Sequence, residues 1–263
     1  MSPAQGIIRS FMSIRPGIEV ASLSDLGCVR ENNEDSYSYW EPRSDAEFAQ
    51  KGRLAVVADG MGGHEGGQEA SRIAVEAIQE TYADTPVADP QVLLTAGFHE
   101  AHQRIQRYAA DHIKLRGMGT TATAVVILAN RLYYAHVGDS RLYRITKDQV
   151  TRLTHDHSYV GRLVESGVIS AEEAEAHPQR NILTAALGAG AEVAVENPEA
   201  AILLKPADTL VLCTDGLWGQ LTDGELQRTV LQNPPATACR ALVNLARERG
   251  GPDNITVQVL RVE

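Results

Sequence analysis

Five aspartates occupy the same kind of place in this chain. Asp35 opens the run DSYSYW, Asp59 closes AVVAD, Asp139 closes YYAHVGD, Asp215 closes TLVLCTD, and Asp253 stands just before NITVQV. Each is followed by Gly, Ser or Asn. Any one of them alone reads as turn chemistry, because Asp before Gly, Ser or Asn favours tight turns. If the five tips point the same way, one sheet edge gathers five carboxylates. Two unit charges about 4 Å apart repel by about 4 kcal/mol at an effective dielectric of about 20. Such a cluster must raise its own pKa values or bind cations. An all-oxygen set selects hard cations, Mg²⁺ or Mn²⁺, and Gly60 leaves a backbone carbonyl open to one. Two ions about 3.5–4 Å apart deprotonate a bridging water and suit in-line attack on phosphorus. Arg30, just upstream of Asp35, offers a planar fork for phosphoryl oxygens; the plainer alternative is a surface ion pair with Glu31 or Glu34.

The stretch AVVADGMGGHEGGQEAS, residues 55–71, is rich in glycine and lets a backbone approach a ligand closely. No Lys follows in the P-loop position, and the glycine spacing fits a dinucleotide fingerprint poorly. Cys28, Cys213 and Cys239 form no CxxC pair, which argues against a zinc site of that type. A cysteine phosphatase needs Arg six residues after its Cys, and those positions hold Glu34, Gly219 and Leu245. Three cysteines fit reduced thiols and a cytoplasmic location. The net charge of −10 argues against a nucleic-acid partner. No apolar run approaches the roughly 18 residues of a membrane helix. The first 17 residues read as a tail or docking segment rather than a signal peptide.

The elements that must position these aspartates are legible in outline. Ala70, Ile73, Ala74, Ala77 and Ile78 predict one helix face, and Leu94, Phe98, Ala101, Ile105 and Tyr108 a second. Pro90 suits a first helical turn. A third helix is predicted from about Pro235 to Arg249, with Ala238, Leu242 and Leu245 on one side and Gly250-Gly251 as its stop. Strands are expected in IEVASLS, DSYSYW, RLAVVAD, TATAVVILA, RLYYAHV, RLYRIT, AILLK, DTLVLCTD and NITVQVLRV. Short turns at Ala129-Asn130 and at Gly138-Asp139-Ser140 predict an antiparallel meander rather than βαβ units. The class is α+β in a single domain, residues 18–263, with a polar helical flap at about 158–180.

The motifs SDLGCVRENNEDS, VVADGMGGHEGG, GMGTTATAVVI, HVGDSRLYR, LTHDHS, LCTDGLWGQLTD and GGPDNITV occur in that order between about Val20 and Val262. Each is modest; together they resemble the type 2C metal-dependent protein phosphatases, the PPM family, in their compact bacterial form. The resemblance implies a four-layer α-β-β-α sandwich of two mainly antiparallel sheets flanked by helices. It implies that Asp35, Asp59, the Gly60 carbonyl, Asp215 and Asp253 hold two Mn²⁺ or Mg²⁺ ions, directly or through water. Glu34 would assist through water, Asp139 with Asp215 would hold a third, weaker ion, and Asn254 would support the ligands. Arg30 would take the substrate phosphate. The reaction would be hydrolysis of phosphoserine or phosphothreonine in proteins by activated water, by a monomer opposing bacterial Ser/Thr kinases.

Two positions depart from the family pattern. Met61 stands where some relatives carry a His proposed as general acid, leaving His64 as a remote candidate. Gly219 stands where many relatives carry an acidic residue, which weakens the expected third site. Of the other tempting residues, Trp218 is expected to pack beneath the site and Cys213 in the core. Asp156, between His155 and His157, is expected to cap the flap helix. His136 is expected in the core or just behind the site, and Thr120 and Thr121 at a buried strand start. Two other functions compete: a metal-dependent phosphodiesterase or nuclease, disfavoured by the charge, and a noncatalytic phosphoprotein binder, disfavoured by the intact acidic set.

Overall fold

The computed structural model describes residues 7–9, 15–63, 65–86 and 89–263. In chain order the elements are β1 Ile7–Arg9, β2 Ile18–Asp25, β3 Asp35–Trp40, α1 Asp45–Lys51, β4 Arg53–Met61, α2 Glu65–Asp84, α3 Pro90–Asp111, β5 Gly119–Thr120, β6 Ala122–Leu128 and β7 Arg131–Val137. There follow β8 Arg141–Ile145, β9 Val150–Arg152, α4 Tyr159–Glu165, α5 Ala171–Glu175, β10 Ile202–Leu203, β11 Thr209–Cys213, α6 Asp215–Trp218, α7 Asp223–Gln232, α8 Pro235–Glu248 and β12 Ile255–Val262. One sheet has the order β1-β2-β12-β11-β8-β9 and the other β10-β7-β6-β4-β3, with β5 paired to β4. The pairings within both sheets are antiparallel.

Alternation along the strands sorts side chains into layers, because successive residues face opposite sides of a sheet. In β4, Leu54, Val56 and Ala58 pack under α2 and α3, whereas Ala55 and Val57 turn to the other sheet. In β11, Val211 and Cys213 face α7 and α8, whereas Leu210 and Leu212 join the layer between the sheets. Three apolar layers therefore separate helix, sheet, sheet and helix, the four-layer sandwich that the family resemblance implied.

The three long helices lie where their periodicity predicted. Asp89 caps α3, accepting from the Gln91 and Val92 amides, with Pro90 in the first turn. The buried stripe of α8 runs through Ala238, Leu242, Val243 and Ala246, so Leu245 sits at its margin rather than on it. The segment expected as a tail contributes β1, paired antiparallel with β2. Helices α1 and α7 were not anticipated. The capping box of α7, Thr222 with Glu225, was the signal available for it.

The meander is interrupted at one informative place. The Ala129-Asn130 turn does join paired strands β6 and β7. The Gly138-Asp139-Ser140 turn does not, because β7 lies in one sheet and β8 in the other. The chain crosses between sheets there, which puts Asp139 at the open edge of the sandwich. The flap also runs further than expected. After α4 and α5 the chain returns along Ser158 through a bridge to Leu183, and rejoins the strand layer only where Leu187 pairs with Thr120.

Candidate active site

Topology brings the five aspartates to one end of both sheets. Asp35 begins β3 and Asp59 lies near the end of β4, and the two are direct cross-strand partners. Asp215 follows β11 and Asp253 precedes β12, antiparallel neighbours that meet at the same end. Asp139, at the sheet crossing, closes the ring.

Side chains behind the carboxylates fix them. The Thr214 hydroxyl donates to Asp35 Oδ2 at 2.9 Å and accepts from the Thr256 amide at 3.0 Å. The Asp59 amide donates to Thr121 Oγ1 at 3.0 Å, and the Asp59 carbonyl accepts from Thr120 Oγ1 at 2.8 Å and the Thr121 amide at 2.9 Å. Thr121 Oγ1 in turn lies 2.7 Å from Ser140 Oγ, beside Asp139. Thr120 ends β5 and Thr121 links it to the start of β6, both buried as expected, and the two also hold the Asp59 peptide. The supporting roles of Thr214 and Thr256 were missed by sequence reasoning; the only local signal was a Thr directly before Asp215.

Asn254 staples the loop before β3 to β12. Its Nδ2 donates to the Leu26 and Asn32 carbonyls, both at 3.0 Å, and its Oδ1 accepts from the Glu34 amide at 2.8 Å. Arg30 reaches across the same junction and donates to Asp253 Oδ2 at 2.6 Å, its side chain half exposed. Its ion pair is with Asp253, and the charge of Glu34 adds to that of Asp253 in holding its proton. The Glu34 carboxylate lies over the first turn of α2: a Cβ on Gly67 would fall 1.9 Å from Glu34 Oε2. A Cβ on Gly60 would fall 2.0 Å from the Gly67 carbonyl. The glycine-rich stretch is therefore a close crossing of two backbones beside the carboxylates.

Burial and mutual repulsion raise the carboxyl pKa values of Asp35, Asp59, Asp139 and Asp215. Asp35 is pushed up to about 7, by burial first, against hydrogen bonds from Thr256 and Thr214. Asp139 rises to about 8 through burial, with the charges of Asp215 and Asp156 adding. Asp215 rises to about 6 through burial and the charge of Asp253. Asp59 lies well above the ordinary carboxylate range; burial leads, followed by the charges of Asp35, Asp215, Asp139 and Asp253. Asp59 thus senses all four of the others.

This donor set fits hard cations. Asp35 Oδ1 and Asp215 Oδ1 are buried with no hydrogen-bond partner, an arrangement costly for carboxylate oxygens unless a cation takes the lone pairs. The donors are oxygens throughout.

The remaining candidates fall behind or beside the cluster. Trp218 Nε1 donates to the Asp139 carbonyl at 2.9 Å, and the Arg141 guanidinium stacks 3.5 Å from the Trp218 ring centroid. Asp156 is not the cap of the flap helix. It accepts Arg141 bidentately, at 3.0 and 2.6 Å, and the cap of α4 is Ser158, which accepts from the Gly161 amide. A guanidinium fork offers a carboxylate more than a helix end does. Cys213 and His136 are fully buried. Met61 packs over Gly119, with Cε 2.9 Å from where a Cβ there would stand. His64 lies outside the described residues. Gly219 ends α6 with its amide on the Asp215 carbonyl at 2.8 Å.

Comparison with known proteins gives a consistent picture. The family model described as protein phosphatase 2C matches residues 31–250. Protein phosphatase PhpP of Streptococcus pneumoniae is 35% identical over 249 residues, which is 92% of this chain and 97% of PhpP. The crystal structure of the Mycobacterium tuberculosis serine/threonine phosphatase PstP/Ppp superposes with a TM-score of 0.83 at 35% identity, covering 94% of this chain and 99% of that one. The catalytic domain of serine/threonine protein phosphatase PstP in complex with two manganese ions gives a TM-score of 0.81 at 34% identity, covering 94% of this chain and 98% of that one.

Proposed function

The chain belongs to the protein phosphatase 2C family, and we propose that its serine/threonine protein phosphatase chemistry takes place at the five-aspartate cluster. Asp35, Asp59, the Gly60 carbonyl, Asp215 and Asp253 would hold two Mn²⁺ or Mg²⁺ ions, with Glu34 assisting through water and Asp139 with Asp215 holding a third. The observation that carries this reading is the pair of buried, unpartnered oxygens, Asp35 Oδ1 and Asp215 Oδ1, inside a ring of mutually repelling carboxylates. The chemistry such ions supply is Lewis acidity, which brings the proton loss of water near neutral pH and offsets phosphoryl charge.

The chain's own residues do the rest. Arg30, half exposed at the mouth, carries a planar fork that suits the substrate's phosphoryl oxygens, and its contact with Asp253 holds it beside the cluster. Thr214 and Thr256 hold the Asp35 carboxylate, and Thr120 and Thr121 the Asp59 peptide, by hydrogen bonds already made. Asn254 keeps the Arg30 loop against β12. Met61 has no proton to give, so the leaving serine or threonine oxygen takes its proton from water. The flap, with exposed Tyr159, Val168 and Ile182, shapes which phosphoproteins are accepted. On this reading residues 18–263 are the catalytic unit, and the enzyme opposes Ser/Thr kinases in signalling. The free thiols Cys28, Cys213 and Cys239 support a cytoplasmic setting. Among the described residues no helix is long and apolar enough to cross a membrane.

The test is phosphate release from a phosphothreonine peptide by metal-stripped protein titrated with Mn²⁺, beside Asp215→Ala. Release that appears with Mn²⁺ and falls at least about a hundredfold in the variant is expected, since even residues behind a metal's ligands cost about 10–100-fold. Tight peptide binding without release would make the chain a phosphoprotein binder. Neither binding nor release would turn attention to phosphodiesters.

A further inference from the structure

Behind Asp139 lies a second group of titratable side chains, His136, His157 and Glu196, whose potential ligand atoms fall within 4.8 Å of one another. Their hydrogen bonds exclude a metal site. The Gly138 amide donates to His157 Nδ1 at 3.2 Å. A backbone N–H can only donate, so Nδ1 is the unprotonated nitrogen and Nε2 carries the proton. That proton faces Glu196 Oε2 at 3.4 Å, and no lone pair is left on Nε2 for a metal. His136 is committed likewise. Its Nε2 faces the Gly138 and His155 carbonyls at 3.0 and 3.1 Å and must donate, while Nδ1 lies 2.8 Å from the Thr123 hydroxyl.

What these rings do hold is Gly138. Its carbonyl accepts from the His157 amide at 2.7 Å and from His136 Nε2, and its amide donates to His157 Nδ1. Both backbone polar groups of the residue preceding Asp139 are thereby clasped. Gly138 has φ of +109°, and a Cβ there would fall 2.5 Å from the Thr121 side chain, so the conformation needs glycine. Glu196 orients the clasp: its carboxylate accepts from the His155 amide at 3.1 Å and faces His155 Nδ1 at 3.0 Å, as well as His157 Nε2. Its backbone pairs with His136. The His157 carbonyl accepts from the Thr184 amide at 2.8 Å, where the flap returns.

The geometry points to His157, oriented by Glu196, as a positioning residue for Asp139: it sets the peptide from which Asp139 projects and ties that peptide to the base of the flap. This rests on the reading of Asp139 as the ligand of a third, weaker cation. An imidazole locked by a carboxylate behind a ligand is the arrangement by which outer partners tune metal sites; here the lock acts through the backbone of the neighbouring residue.

The experiment is Mn²⁺ binding to metal-stripped full-length protein by calorimetry, with phosphopeptide turnover and thermal melting measured alongside. Asp139→Ala is expected to abolish the weakest binding phase seen in the wild type. His157→Phe is expected to weaken that same phase about tenfold or more and, because it strands the Gly138 amide, to lower the melting temperature by a few degrees, with the tighter phases and KM for the peptide unchanged. His157→Asn, whose Oδ1 can accept from the Gly138 amide where Nδ1 did, should restore the phase. Glu196→Gln should give a smaller loss in the same direction. In the Asp139→Ala background His157→Phe should have no further effect on binding.

The inference is overturned if folded His157→Phe binds Mn²⁺ as the wild type does. It is also overturned if all phases weaken together with the melting temperature, or if Asp139→Ala removes no phase. If His157→Phe does not fold, the other two variants decide. An unchanged weak phase in Glu196→Gln, or no difference between it and His157→Asn, would count against the clasp. Wild-type protein that shows the binding pattern but releases no phosphate would sink the phosphatase site and leave this inference standing.

Discussion

Individual residues at this site act through what they leave unpaired and what they pair. Asp35 shows both: Oδ2 takes the Thr214 hydroxyl and Oδ1 takes nothing from the protein. Thr214→Val would strand the Thr256 amide and remove one of the hydroxyl hydrogen bonds to Asp35. A loss of about 1–3 kcal/mol is expected for the buried amide left unsatisfied, read from urea denaturation of metal-loaded protein; an unchanged midpoint would remove Thr214 from the support of Asp35. Asp139→Ala should leave the fold intact, since its carboxyl is a source of repulsion rather than of packing, while turnover on a phosphopeptide falls. Full turnover in that variant would take Asp139 out of the mechanism. The aspartates and Arg30 were legible as residue types at strand tips. Thr214 and Thr256 were not, because a hydroxyl that supports a ligand looks like any other strand threonine until its partner is known.

At the scale of elements, the flap is the part most open to change. Ser158 caps α4 and opens the bridge to Leu183. Ser158→Ala is expected to cost about 1 kcal/mol of local helix stability and to lower kcat/KM on a phosphopeptide more than on a small aryl phosphate. Equal effects on the two substrates would sink the flap's assignment to substrate choice. The helices α2, α3 and α8 were readable because their apolar stripes repeat every three to four residues. The turn at residues 138–140 was misread as a hairpin for a physical reason. Short turns look alike in sequence whether the next strand pairs with the last one or leaves for the other sheet, and only the packing of β8 against β11 decides it. The same limit applies to Asp156: its place before a helix suggested a cap, and Arg141, fifteen residues away in sequence, claimed it.

For the whole molecule, the carboxylate ring makes stability depend on pH and on metal. Asp215, Asp35 and Asp139 have folded-state pKa values of about 6, 7 and 8, above the roughly 3.9 of an unfolded aspartate. The unfolded chain therefore gives up these protons at lower pH than the native one. Their contribution to stability is present below about pH 4 and is lost as pH rises through about 6 to 8. The melting temperature of metal-stripped protein should fall between about pH 5 and pH 8. Mn²⁺ should raise it more at the upper end, where it no longer competes with protons. A melting temperature flat across that window, with and without Mn²⁺, would mean the carboxylates do not form one cluster.

The sequence by itself determined the chemistry on offer: oxygen ligands at the tips of apolar runs, an arginine beside the first, glycines where backbones must cross, and helices with one apolar face. These are local properties, carried by residue type and by spacing of a few positions. Only the tertiary structure decided which of these groups meet. Arg30 finds Asp253 across 223 residues, and Thr214 finds Asp35 across 179. The His157 clasp on Gly138 depends on a crossing between sheets that no local pattern announces. Such contacts follow from how two sheets pack and which ends face the same way. Apolar burial over the whole chain sets that, and the residues that do the chemistry do not.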